Sequence, residues 1–248
     1  MNMCDYLKRI NYHGSLEPTL QTLQALHEAH LLAVPFENLD IHLGRKILLD
    51  EASLWTKIVE QRRGGFCYEL NGMFAWLLRA LGFRVSMLSA DVARDTGEFG
   101  PEFDHLTLLV HLEEDWLADV GFGNSFRQPL QMQDLLMQAQ SRGIYRLVQE
   151  GAYWILQYQD RKKWHPSYRF TLQPHELSDF TEMCEYQQTS PESHFTQQRI
   201  CTIATRSGRI TLSDQRLITT IDGERQERLL TGQEEYRAAL AEHFGVVL

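Results

Sequence analysis

Three residues in this 248-residue chain have the types and spacing to carry acyl transfer: a cysteine behind two glycines, a histidine and an aspartate. The cysteine is Cys67, in the segment RRGGFCYELNG at 62–72. Paired glycines allow a tight turn that a residue with a side chain enters only at a cost. The amphipathic pattern that follows puts Cys67 in the first turn of a helix, where unpaired amides and the helix dipole favour thiolate over thiol. Arg62 and Arg63 add positive charge nearby, and a backbone N–H of the same turn can face an oxyanion. The competing reading is a small buried core residue, which is what most free cysteines are. The glycine–aromatic–cysteine pattern alone leaves the two level.

A thiolate nucleophile needs a base, and the base needs an acceptor to orient it. His105 heads the strand-like run HLTLLV at 105–110, and Asp119 lies near the end of WLADV at 116–120, before a glycine turn. If these runs are antiparallel neighbours, the head of one lies beside the tail of the other, and His105 meets Asp119. Taken singly, each reads better as a satisfied histidine or a turn aspartate. Their joint placement next to Cys67 is what carries the reading. The close spacing of Cys, His and Asp differs from papain-like proteases, where the histidine lies far downstream. Glu69 and Asp104 read as solvated surface charges. His13, His111 and His165 have no partner pattern, and Trp154 and Trp164 suit a barrel wall.

The elements that must position these residues follow from periodicity. Leu20, Leu23, Leu26, His27, His30 and Leu31 recur at helical spacing, and Val34-Pro35 stops that helix. The pattern predicts a second helix over about 51–61 and a third over about 66–81, closed by Gly82. From residue 83 onward, short runs of β-branched and aromatic residues alternate with turn residues, predicting a meander or small barrel. The stretch 131–140 reads as a short helix or a polar loop, and 175–191 as a polar segment. A hairpin is expected around Ser207-Gly208, another at Asp222-Gly223, and a final helix over 234–244.

The net charge of -9 argues against a nucleic-acid partner. No run approaches a membrane span, and the first ten residues lack the apolar stretch of a signal peptide. Four cysteines, at 4, 67, 184 and 201, form no C-x-x-C pair and suit neither a metal site nor a disulfide framework. The expectation is a reduced, cytoplasmic enzyme without metal. There is also no phosphate loop of the P-loop type.

VPFENLDIHLGR (34–45), RGGFCYELNG (63–72), DHLTLLV (104–110) and WLADVGFG (116–123), with YLKRINYHG (6–14) and TSPESHF (189–195), resemble in order the signature blocks of bacterial-type arylamine N-acetyltransferases. The resemblance implies a Cys67–His105–Asp119 triad and ping-pong transfer from acetyl-CoA, through an acetyl-cysteine, to an arylamine or arylhydrazine. O-acetylation of N-hydroxyarylamines and acetylation of xenobiotic amines are implied with it. Phe36 and Phe122 are expected to line the acceptor pocket. Gly121 and Gly123 would admit the CoA arm or merely make the turn, and Glu37 would pair with Arg63. The implied fold is α+β: a helical bundle over 1–82, an antiparallel β-barrel over 83–190 and an α/β lid over 191–248, around a cysteine-protease/transglutaminase-like core. Relatives commonly continue past the position of residues 246–248, so a reduced lid is expected. No membrane partner is expected, and the chain would be a monomer or homodimer. Three other readings stay open: a longer or carrier-bound acyl donor on the same triad, a cysteine hydrolase of the transglutaminase or protease kind, and a binding domain with a decayed site.

Overall fold

The computed structural model describes residues 1–141 and 143–248. Helix α1, Met3–Arg9, is capped by Asn2, whose side chain accepts from the Cys4 N–H. Helix α2, Leu20–Ala33, is capped the same way by Thr19 and ends before Pro35 as expected. A two-residue strand β1, Phe36–Glu37, and a short helix α3, Leu39–His42, follow. The predicted 51–61 helix is really α4, Glu51–Trp55, running into a π-helical turn at Thr56–Glu60. Inside that wider turn Lys57 is buried rather than pointed at solvent.

Helix α5, Cys67–Ala80, lies where the sequence predicts it. It is not the half-buried amphipathic helix its pattern suggests. Tyr68, Leu70, Phe74, Leu77 and Leu78 are fully buried, and every residue from Cys67 to Ala75 is inside. A helix enclosed on all sides is a fixed platform, and this one runs through the largest apolar cluster of the protein.

Eight antiparallel strands form the nearly closed barrel: β2 Arg84–Val92, β3 His105–His111, β4 Asp115–Ala118, β5 Leu130–Gln131, β6 Gln138–Gln140, β7 Gly143–Glu150, β8 Tyr153–Asp160 and β9 Lys163–His175. Their order is β5-β4-β3-β2-β9-β8-β7-β6. Leu88, Leu109, Leu117, Leu147, Leu156 and Phe170 fill the interior. The ambiguous 131–140 stretch is neither helix nor plain loop; its ends are the two edge strands. Glutamine side chains join those edges. Gln138 accepts from the Gln131 N–H at 2.8 Å and donates to the Gln131 carbonyl at 3.1 Å. Gln140 does the same for Gln128, at 3.0 and 2.8 Å. An amide side chain offers the same donor and acceptor as a peptide group, so these pairs replace the missing ladder.

The polar segment after β9 holds a 3₁₀ turn at Leu177–Phe180, helix α6 at Thr181–Thr189 and helix α7 at His194–Gln197. Helix α6 escaped prediction because only Cys184 and Gln187 of its nine residues are buried. Strands β10 Ile200–Thr205, β11 Gly208–Ser213, β12 Arg216–Ile221 and β13 Glu224–Leu229 form the two expected hairpins, and α8, Gly232–Phe244, packs on them. The second hairpin turns through Asp222 and Gly223 with φ of 48° and 89°, the paired positive angles of a type I′ turn. Strand β1 joins this sheet at its edge, with Phe36 opposite Thr202. Among the described residues no helix is long and apolar enough to cross a membrane.

Candidate active site

The turn that presents Cys67 is built by close packing. Neither Gly64 nor Gly65 has a positive φ; the left-handed residue of the turn is Arg62, at 55°. Glycine is required for space instead. A Cβ on Gly64 would stand 1.9 Å from the Pro35 carbonyl oxygen, and one on Gly65 would meet the Glu69 carboxylate at 2.6 Å. Behind the turn, buried Arg9 donates to four carbonyls, those of Ala33, Ile58, Arg62 and Arg63, so one guanidinium ties together the ends of three segments. In front, Glu69 folds back to accept the Phe66 N–H at 3.1 Å, the carboxylate half of a capping box.

His105 and Asp119 meet as the strand reasoning expects. Strands β3 and β4 are antiparallel, and the His105 Nε2–H donates to Asp119 Oδ2 at 2.7 Å. That fixes the tautomer and leaves Nδ1 on the opposite side of the ring. Asp119 accepts three further hydrogen bonds: from the Tyr168 hydroxyl on Oδ2 and, on Oδ1, from the Asn71 amide and the Gly121 N–H, all at 2.9 Å. Burial pushes its carboxyl up, but His105, Asn71 and Gly121 more than offset that and hold it below the usual carboxylate range.

Two more residues brace this aspartate. Asn71 stands one helical turn after Cys67, on the same face of α5. It donates to the Leu106 carbonyl at 2.6 Å and accepts the Val120 N–H at 2.9 Å, so it clamps the helix to both strands. His27 of α2, fully buried, accepts the Asp119 backbone N–H on Nε2 at 3.1 Å and donates from Nδ1 to the Arg127 carbonyl at 2.9 Å. A ring with one acceptor and one donor nitrogen is neutral, and burial holds His27 down at about 4.

The Cys67 thiol is buried, and burial pushes it well up, as do the Asp104 and Asp119 carboxylates; a backbone hydrogen bond from Leu106 pulls it down. The arginines expected to lower it do not act there. Arg63 is bound to Glu37 at 2.7 Å and to Asp40 at 3.1 Å. This is the expected Glu37–Arg63 pair, and it is larger than expected: Lys57 bridges Asp40 and Glu69, each at 2.8 Å. Glu69 is therefore not a solvated surface charge. It is buried in the first turn of the Cys67 helix, and desolvation raises its carboxyl to about 7 against the pull of Lys57. Asp104 is half-buried and accepts from Gln187 at 2.8 Å.

Aromatic rings crowd the same place. The Phe122 ring stands 5.1 Å from that of His105 and 5.1 Å from that of Tyr168. Phe36 is half-buried, and its ring lies 4.0 Å from where a Gly123 Cβ would be. Phe195 packs on Phe36 and Phe66 at 6.1 and 5.6 Å. It lies in the quoted 189–195 block, but no spacing argument reaches it. Gly121 is jammed against the Cys67 helix: a Cβ there would come within 2.8 Å of the Cys67 Cα. Gly123 has a φ of 74°, a conformation that suits glycine. The structure thus brings Cys67, His105, Asp119, Gly121, Phe122 and Phe36 into one neighbourhood. Among the described residues, no group of three or more His, Cys, Asp or Glu side chains is arranged to hold a metal.

A buried cysteine next to an oriented imidazole and a saturated carboxylate is equipped for nucleophilic acyl transfer. The comparisons point the same way. The N-acetyltransferase family profile matches residues 19–248. The Escherichia coli arylamine N-acetyltransferase is 38% identical over 97% of this chain and 87% of its own. The Salmonella typhimurium arylamine N-acetyltransferase / N-hydroxyarylamine O-acetyltransferase is 40% identical over 84% of this chain and 75% of its own. The structure of the Mycobacterium marinum arylamine N-acetyltransferase in complex with CoA superposes with a TM-score of 0.91 at 31% identity, covering 99% of this chain and 93% of that one. Sequence blocks, fold and site geometry converge: the chain belongs to the arylamine N-acetyltransferase family of acyltransferases.

Proposed function

We propose that the chain moves an acetyl group from acetyl-CoA to an aromatic amine or hydrazine by double displacement, with Cys67 as nucleophile, His105 as base and Asp119 as its orienting partner. The observation that carries the reading is the 2.7 Å His105–Asp119 bond, with Gly121, two residues after Asp119, packed directly against the Cys67 backbone. Burial keeps the thiol neutral on its own, so its proton leaves when His105 Nδ1 takes it. The thiolate then attacks the thioester carbonyl, the tetrahedral oxyanion collapses, and CoA departs with the proton returned by the imidazolium. In the second half the amine nitrogen attacks the acetyl-cysteine. His105 accepts the proton that this nitrogen loses, and the Cys67 sulfur leaves. Asp119 stabilises the imidazolium in both halves without itself taking a proton. Exchange between two thioesters is nearly balanced, so the site needs no strong driving force in the first half.

Phe36 and Phe122 would hold the flat acceptor ring, with Phe195 beside them. Gly123 would keep the approach open for the CoA arm, while Gly121 lets the turn after Asp119 pack against the Cys67 helix. N-hydroxyarylamines would be O-acetylated by the same steps, as the name of the Salmonella typhimurium relative suggests. The four free cysteines suit a reducing cytoplasm, and the working regions are 1–82, 83–190 and 191–248. Initial rates at several fixed acetyl-CoA concentrations, with an arylamine varied, test the scheme. Parallel double-reciprocal lines are expected; lines that intersect would show a ternary complex and overturn it.

A further inference from the structure

Residues alternate across the sheet that carries β1, so its two faces are chemically distinct. Cys201, Ile203, Ile210 and Leu212 face the cluster under α8. Phe36, Thr202, Thr211 and Arg209 therefore face the barrel. Phe36 lies opposite Thr202 and Thr202 opposite Thr211, and the two threonine hydroxyls meet at 2.7 Å. Arg209 lies across this face. Its Nη1 donates to Thr202 Oγ1 at 3.0 Å and its Nε to Asn124 Oδ1 at 3.2 Å. Asn124 is exposed and sits two residues beyond Phe122, so the guanidinium stands where the aromatic neighbourhood opens to solvent.

This cation lacks a counter-charge. Among the described residues no carboxylate pairs with Arg209, and its Nη2 makes no hydrogen bond, though it is not sealed from solvent. Arg127, whose guanidinium donates to the Thr205 and Gly208 carbonyls, adds like charge beside it. Burial and then Arg127 bring Arg209 down to about 10. Under the Cys67 turn, by contrast, Arg63 and Lys57 share three acids. A fixed guanidinium with a free edge is suited to an anionic oxygen group, which it can grip with charge-assisted bonds.

We propose that Arg209 binds an anionic oxygen group of a reactant at the mouth of the Cys67 site, either a carboxylate on the acceptor ring or a phosphate of the donor. The inference rests on the double-displacement reading above. The test measures the two half-reactions separately on the full chain, wild type and Arg209→Gln. The acceptor arm compares transfer from acetyl-Cys67 to 4-aminobenzoate and to the neutral 4-aminobenzamide. The donor arm compares acylation by acetyl-CoA and by S-acetylpantetheine, which has no phosphate. Intrinsic reactivity cancels between enzyme forms. A lost charged hydrogen bond should therefore lower the charged-to-neutral ratio of kcat/KM by about tenfold or more in one arm, and the arm that falls names the source of the anion. Arg209→Lys should retain most of the ratio. An unchanged ratio in both arms overturns the proposal while leaving the double-displacement reading intact. If Arg209→Gln does not fold, the wild type decides: a preference for the charged member that raised salt erodes supports the proposal, and no preference in either arm overturns it. Failure to form acetyl-Cys67 with either thioester overturns the underlying reading and this one with it.

Discussion

The two sides of the Cys67 turn are held by opposite chemistries. Toward the barrel stands one carboxylate, Asp119, whose four hydrogen bonds come from His105, Tyr168, Asn71 and Gly121. Away from it stand three carboxylates, Glu37, Asp40 and Glu69, and two cations, Arg63 and Lys57. Proton transfer needs a direction, and a saturated aspartate supplies one by leaving the imidazole a single orientation. A backbone turn needs only strong ties, which raw charge provides. On the proposed mechanism the first side sets chemistry and the second sets stability, and substitutions should separate along that line.

The largest effect should come from Asp119→Asn. The amide swaps an acceptor for a donor, which turns the His105 tautomer around, and turnover should fall by about three to four orders of magnitude with the melting midpoint little changed. Steady-state rates with thermal melts check both halves of the statement. Next comes Arg63→Met, which leaves Glu37 buried without its cation. Unfolding in denaturant should show a loss of about 3–5 kcal/mol, while the protein that remains folded keeps its turnover. Equal losses of rate and stability from these two variants would erase the distinction.

His27→Leu tests whether bracing the aspartate's backbone matters to chemistry. The Asp119 N–H and the Arg127 carbonyl lose their partner, at about 1–3 kcal/mol. If that energy holds the dyad in register, it should be seen as a fall in kcat of roughly tenfold to a hundredfold with KM little moved, and His27→Gln should recover part of it. The smallest effect belongs to Glu69. Its carboxyl titrates near 7 in the fold and near 4.5 as an ordinary glutamate. Between those values the folded chain holds more protons than the unfolded one, so its contribution to stability falls as pH rises from about 4.5 to 7 and is level above. Glu69→Gln keeps an acceptor for the Phe66 N–H and balances the remaining charges. It should remove that slope while leaving Lys57 paired with Asp40. Denaturant midpoints across pH 5–8 measure it.

The proposed trio was legible because each member sits at or beside the end of an element that periodicity defines. Helix α5 and strands β3 and β4 fall where the residue pattern puts them, and an antiparallel pair brings His105 to Asp119. The signature blocks carried the rest of the fold. Their supports were not legible, because a polar side chain does not announce a partner on a distant strand. His27 looks like one more member of a helical stripe, and Tyr168 like one more barrel aromatic. Two readable signals went unused: Asn71 is one turn from Cys67, and Glu69 stands at the position where a glutamate caps its own helix. The electrostatics of Cys67 ran against the sequence reading. Arg63 is taken up by Glu37 and Asp40, and the helix that presents the thiol also buries it. Closure of the barrel by Gln138 and Gln140 is likewise invisible to propensity, since those residues act there as substitute peptide groups.

The central claim is that Cys67 carries the acetyl group. Intact-protein mass spectrometry after mixing with acetyl-CoA and no amine, with Cys67→Ala alongside, tests it directly. The account predicts one acetyl group on the wild type, none on the variant, and loss of the adduct when an aromatic amine is added. An adduct of equal size on Cys67→Ala, or no adduct on a wild type that still acetylates the amine, would contradict it.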